Sequence, residues 1–133
     1  MNSRARIAAG AISLLIYLVI YLLSSLPAAS LPSHIPDFIP HFLEYFALAF
    51  FFIQVFARPN HRRALTTGFF ILAVLGLLDE CHQLFVPGRV FSLLDWLYDS
   101  IGALAGLAAF LMLNRQKKVI RDETETQRNS SNE

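Results

Sequence analysis

The sequence predicts an all-α integral membrane protein, a four-transmembrane-helix bundle with N- and C-termini cytoplasmic. Three observations lead there. Hydrophobic residues make up 55% of the 133 residues and charged residues only 16%, with a mean hydropathy of +0.48, an apolar share above that of ordinary soluble domains. Apolar runs of about twenty residues recur along the chain, and at about 1.5 Å per residue each is long enough for a hydrocarbon core of about 30 Å. Lysine and arginine then fall almost wholly on one side of those runs, the pattern that sets membrane orientation.

The first run, residues 7–26, follows Arg4 and Arg6 and carries no charge. A cleaved signal peptide is the alternative, with Pro27-Ala28-Ala29-Ser30 as the small-residue segment. The run exceeds the roughly 7–15 apolar residues of a signal core, which favours a retained helix. Gly10, Ser13, Tyr17, Tyr21 and Ser24 also share a stripe about 80° wide, a packing face that a discarded segment does not need. Pro27, Pro32, Pro36 and Pro40 make the next stretch an extended loop re-entering the membrane. The second run, 38–57, opens with His41, Glu44 and Tyr45. After a short basic hairpin, Arg58 to Arg63, the third run covers 64–86 and ends in Asp79-Glu80-Cys81-His82-Gln83. Pro87-Gly88-Arg89 is a turn. The fourth run, 93–113, has Asp95 and Asp99 in its first turns, then Gly102, Gly106 and Ala109. Residues 114–133 form a polar cytoplasmic tail, poor in apolar residues and expected to be disordered.

With the N-terminus inside, ten of the eleven basic residues lie on the cytoplasmic side and Arg89 alone lies outside. The basic residues are therefore topology determinants beside anionic lipid, and no nucleic-acid surface is expected. The same orientation gathers six of the ten acidic residues at the outer end: Asp37, Glu44, Asp79, Glu80, Asp95 and Asp99. Ionisable residues are expensive inside a membrane and mark functional sites there. Counted from the run ends, Glu44, Asp79 and Asp99 lie roughly 9–10 Å deep, with His41, His82, Gln83 and Asp95 roughly 3–6 Å deep. On a helical projection Asp79, His82 and Gln83 face inward, Glu80 sits at the margin of the arc, and Cys81 points away as a packing residue. Asp95 and Asp99 continue into the small-residue stripe of Gly102, Gly106 and Ala109, so their helix presents them to a neighbouring helix approaching closely.

Asp79-Glu80-Cys81-His82-Gln83-Leu84-Phe85-Val86-Pro87-Gly88-Arg89, followed by Asp95 and Gly102, resembles the signature of VanZ-like membrane proteins. Asp37 with His41-Phe42-Leu43-Glu44-Tyr45 resembles the other motif of that family. The likeness spans roughly residues 36–113. One departure is Phe38, where the family commonly has a lysine. The resemblance implies a bacterial cytoplasmic-membrane protein of the cell envelope, associated with teicoplanin resistance. It implies no settled reaction.

Chemistry is therefore read from the residues. Glu44, Asp79, His82 and Asp99 are the candidate acid/base layer, because crowded carboxylates and an imidazole can divide proton donor and acceptor roles. His41, Tyr45, Gln83, Arg89 and Asp95 are candidates for substrate binding. His41-x-x-Glu44 and Asp79-x-x-His82 each set an imidazole and a carboxylate one turn apart, so His41, Glu44, Asp79 and His82 are candidate ligands of a divalent metal. The alternative for these pairs is a hydrogen-bonded network fixing helix registry. No serine, threonine or cysteine stands out as a nucleophile. Arg89 suits a lipid or precursor phosphate, or a salt bridge to Asp95 or Glu80. Tyr17, Tyr21, Tyr45, Trp96 and Tyr98 could contact a ligand, but aromatic residues near an interface are usually anchors, and Trp96 and Tyr98 read as such. Together these point to a polar pocket open to the extracytoplasmic side that binds an anionic outer-leaflet lipid or wall precursor, with chemical alteration of it left open; a lipid-linked or glycopeptide ligand is the expected partner. Two alternatives stand beside it: a binding or permeability protein without turnover, and a proton or ion pathway. The last is disfavoured by the apolar inner halves of the second and third runs.

Overall fold

The computed structural model describes residues 2–30, 36–56 and 61–130, with His61 described through its backbone alone. Arg58, Pro59 and Asn60 of the basic hairpin, and Pro32 of the proline loop, lie outside the described residues. Four helices form an up-down bundle: α1 (Ser3–Ser24), α2 (Phe38–Phe56), α3 (His61–Gln83) and α4 (Leu93–Ser130). All four are long and apolar enough to cross a membrane.

Local chemistry sets where the helices begin and end. Asn2 caps α1, its Oδ1 accepting from the Ala5 amide at 2.9 Å, which satisfies one of the orphan donors of a first turn. Ser92 caps α4, its hydroxyl accepting from the Asp95 amide at 3.2 Å. The third helix ends at Gln83, short of the expected Val86. Pro87 disfavours a helical conformation at the residue before it, and turn bonds from Phe85 to His82 O and from Val86 to Gln83 O, each 3.0 Å, replace the ladder. Gly88 then takes φ +78°, the one positive φ among the described residues. The Ala28 amide donates to Pro87 O at 3.2 Å, tying the proline loop to this turn.

The tail departs from the disorder expected of it. α4 runs unbroken through residues 114–130. This stretch has neither proline nor glycine and is rich in arginine, lysine, glutamate and glutamine, all strong helix formers. Arg121 and Glu125 also pair at i,i+4 spacing, 3.9 Å apart. Low hydrophobicity denied the tail a packing partner, and it is exposed along its length, but helix propensity did not require one.

The bundle is bonded by a core of Ile20, Tyr45, Leu48, Ala49, Ile53, Leu72, Ala103, Leu107 and Phe110. Gly102 and Gly106 are buried where α4 crosses α2, and a Cβ at either would run into the backbone carbonyls of Phe42 and Phe46. No larger residue permits that approach. Two polar contacts lock the remaining helices. Arg6 donates twice to Val55 O, at 2.9 and 2.6 Å, closing one end of the bundle between α1 and α2. Trp96, expected as an interfacial anchor, instead donates from Nε1 to Ala73 O at 2.8 Å and joins α4 to α3. Leu14, Leu15, Phe70, Val74, Leu104 and Met112 face outward and are exposed, as residues solvated by lipid rather than water must be.

Candidate functional site

The end of the bundle opposite Arg6 holds the polar residues. α3 runs between α1 on one side and α4 on the other, so both flanks of its last two turns are covered. Asp79, Glu80 and Gln83 are all buried, Glu80 completely. Glu80 is thus central where helical projection put it at the margin, because an arc that is wide on one helix becomes two inward faces when neighbours pack on both sides. Cys81 is exposed, on the side away from the cluster.

On the α4 side, His41 of α2 contacts Asp99 of α4, Nδ1 to Oδ1, at 2.9 Å. With Asp99 ionised its oxygen can only accept, and Nδ1 then carries the proton and donates. The imidazole is 11% exposed and the Asp99 side chain is fully buried. The two were expected at different depths; the offset of α2 against α4 brings them level. Gly76 makes room for this: a Cβ there would come within 3.1 Å of Asp99 Oδ2 and 3.3 Å of its Cβ. Glu80 accepts from the Ser92 amide at 2.8 Å, so the residue that caps α4 also fixes a carboxylate of α3. A ring nitrogen of His41 and one carboxylate oxygen each from Glu80 and Asp95 lie within 4.8 Å of one another.

On the α1 side the partners are hydroxyls. Ser24 donates to Asp79 Oδ1 at 2.7 Å, a buried bond between the end of α1 and α3. Ser25 Oγ lies 3.0 Å from His82 Nε2 and 2.6 Å from Tyr21 O. The hydroxyl has one proton, so when it donates to Tyr21 O the imidazole must donate to it. The His82 ring also packs on Tyr21, centroids 4.8 Å apart and planes tilted by 32°. Gln83 stands between the two sides, its Nε2 3.4 Å from Asp79 Oδ2 and 3.5 Å from Glu80 Oε1. Both are long contacts.

The other candidates are arranged around this core. Glu44 is half-buried on α2 and makes no hydrogen bond among the described residues. Tyr45 is buried, and its hydroxyl and Asp99 Oδ2 are both enclosed without a hydrogen-bond partner. Arg89 is half-buried and forms no ion pair with Asp95 or Glu80; its Nε lies 3.4 Å from Leu26 O. Of the four metal candidates His41, Glu44, Asp79 and His82, only His41 belongs to the group whose donor atoms converge. Asp79 and His82 face serines instead.

Ser24, Ser25, Ser92 and Gly76 were not read from the sequence as site residues. Ser24 had a signal, since it ends the polar stripe of α1. The other three lacked one, being small residues whose part depends on which helix lies opposite.

Fold and site define a four-helix membrane protein with a cluster of carboxylates, imidazoles and serines packed at one end of the bundle. The VanZ/LLP1 family model matches residues 9–114, and the chain belongs to that family. The match takes in α2 and α3 whole, most of α1 and the membrane part of α4, with both halves of the polar cluster. No curated protein and no solved structure matches the chain.

Proposed function

We propose that this protein resides in a bacterial cytoplasmic membrane with both termini inside, and that its outward polar end binds an anionic outer-leaflet lipid or lipid-linked wall precursor. This is the means by which a member of a family linked to glycopeptide resistance would act on the envelope. The observation that carries the reading is Arg89. It is the only lysine or arginine among the described residues that close the polar end, 25–30, 36–37 and 84–92, and among the described residues it has no carboxylate partner although acidic side chains are gathered nearby. An arginine at headgroup level with its terminal guanidinium nitrogens uncommitted suits a phosphate.

The site supports binding first and chemistry second. Asp79, Glu80, Gln83 and Asp99 are buried, so a ligand entering from the membrane surface meets Arg89, Asp95, His41 and His82 before it meets them. His82, held between Tyr21 and Ser25, is the residue placed to exchange a proton with a bound headgroup. An ion pathway gains no support: below the cluster the core is Leu48, Ile53, Leu72, Leu107 and Phe110, with no polar chain among the described residues to carry protons.

Mass spectrometry of lipids co-purifying with the full chain tests the proposal. Wild type is expected to retain an anionic lipid that Arg89→Gln loses. A chemically distinct lipid retained by Asp79→Asn would add turnover to binding. Equal retention of the same lipids by wild type and Arg89→Gln would overturn the assignment of Arg89 and with it the binding site.

A further inference from the structure

Beyond lipid binding, we infer that His41, Glu80 and Asp95 form a site for one divalent first-row metal ion, oriented by Asp99. Three helices each supply one donor, and the three donor atoms lie within 4.8 Å of one another. Protein ligands stand about 2.0–2.2 Å from zinc, so small side-chain rotations bring this set to coordination distance. One imidazole and two carboxylates suit zinc or manganese, and the absence of thiolate disfavours softer ions.

Two features outside the triad point the same way. Asp99 accepts from His41 Nδ1 at 2.9 Å, which fixes the tautomer and leaves the Nε2 lone pair as the free donor. A metal-ligating histidine is held in this manner by a carboxylate on its other nitrogen. The second is a deficit of positive charge. Glu80 and Asp99 are completely buried, Asp95 is half-buried, and among the described residues no lysine or arginine pairs with any of them. An imidazole whose Nε2 keeps its lone pair is neutral and balances none of the three carboxylates, and buried charges without counter-charge are costly. A dication at the convergence supplies it. Asp99 Oδ2 remains enclosed without a hydrogen-bond partner.

Ser92 completes the geometry. Its amide holds Glu80 Oε2 at 2.8 Å, which fixes the carboxylate beside His41 and Asp95, and its hydroxyl sets the start of the helix that carries Asp95. Three protein ligands leave coordination positions open, as in catalytic rather than structural zinc sites. That an open position takes the lipid phosphate rests on the lipid-binding reading; the ion itself does not.

The test uses the full chain in detergent, stripped with EDTA, then equilibrated with Mn2+ or Zn2+ and desalted. Wild type is expected to retain one ion per chain, with nitrogen modulation from an imidazole in pulsed EPR of the Mn2+ form. His41→Gln should abolish the nitrogen signal, Asp95→Asn should weaken binding at least tenfold, and Asp99→Asn should weaken it by about 10- to 100-fold, the usual effect of losing such an orienting group. His82→Gln, outside the triad, should bind as wild type. Asp95 is only half-buried, so its amide variant can be compared at equal helicity even if Glu80→Gln fails to fold. Retention of neither ion by wild type, retention by His41→Gln and Asp95→Asn equal to wild type, or a loss in His82→Gln matching that in His41→Gln would each overturn the site. Ion binding is read without lipid, so its failure leaves the lipid experiment standing, and the converse.

Discussion

The two flanks of α3 hold the same kinds of residue in opposite circumstances. Toward α4, His41 faces Asp99, with Glu80 and Asp95 close by, so ionisable groups meet ionisable groups around two completely buried carboxylates. Toward α1, Asp79 and His82 each meet a serine, a neutral donor or acceptor that neither adds nor cancels charge. The difference teaches where rigidity and where chemistry can reside. A buried charged contact is costly to break because the survivor is stranded, whereas a serine can turn from one partner to another. Ser25 has both Tyr21 O and His82 within hydrogen-bond reach of its hydroxyl.

The largest expected effect comes from breaking the charged side. Asp99→Ala removes the acceptor of His41 and should destabilise the protein by about 3–5 kcal/mol, read as a fall in thermal unfolding temperature in a fixed detergent. Gly102→Val comes next, because its side chain enters the carbonyl of Phe42 and forces α4 away from α2; overpacking of that kind costs about 1–3 kcal/mol. On the serine side Ser24→Ala leaves Asp79 buried without its 2.7 Å donor, at about 1–3 kcal/mol, and equal losses for Ser24→Ala and Asp99→Ala would erase the contrast between the flanks. The smallest stability change, within about 0.5 kcal/mol, is expected for Arg89→Gln, whose consequence should appear in lipid retention instead. A large fall in unfolding temperature for that variant would make Arg89 a structural residue.

Much of this was legible beforehand. Apolar run length fixed the number of spans, because a bilayer imposes one thickness on every helix that crosses it. The inward face of α4 was legible too, since Asp95, Asp99, Gly102 and Gly106 repeat at helical spacing and only close packing uses such a stripe. Helix ends were less legible: Val86 could continue a periodic pattern, yet the following Pro87 closed it at Gln83. The tail misled because composition measures whether a segment can form a core, not whether it can continue a helix already nucleated in the bundle.

What the sequence by itself determined is an all-helical membrane protein with its ionisable residues collected at one end, and the motifs of the family to which it belongs. Both follow from quantities local to each helix, namely length, hydropathy and periodicity. What the tertiary structure alone decided is which of those residues meet. His41 and Glu44 lie one turn apart, as do Asp79 and His82, so the sequence pairs neighbours along each helix. The bundle pairs across helices instead, His41 with Asp99, Glu80 and Asp95, and Asp79 and His82 with the serines that end α1. The physical reason is that helix offset and crossing are set by packing, here by Gly102, Gly106 and Gly76 admitting their neighbours, and a periodicity carries no record of the helix that will lie opposite.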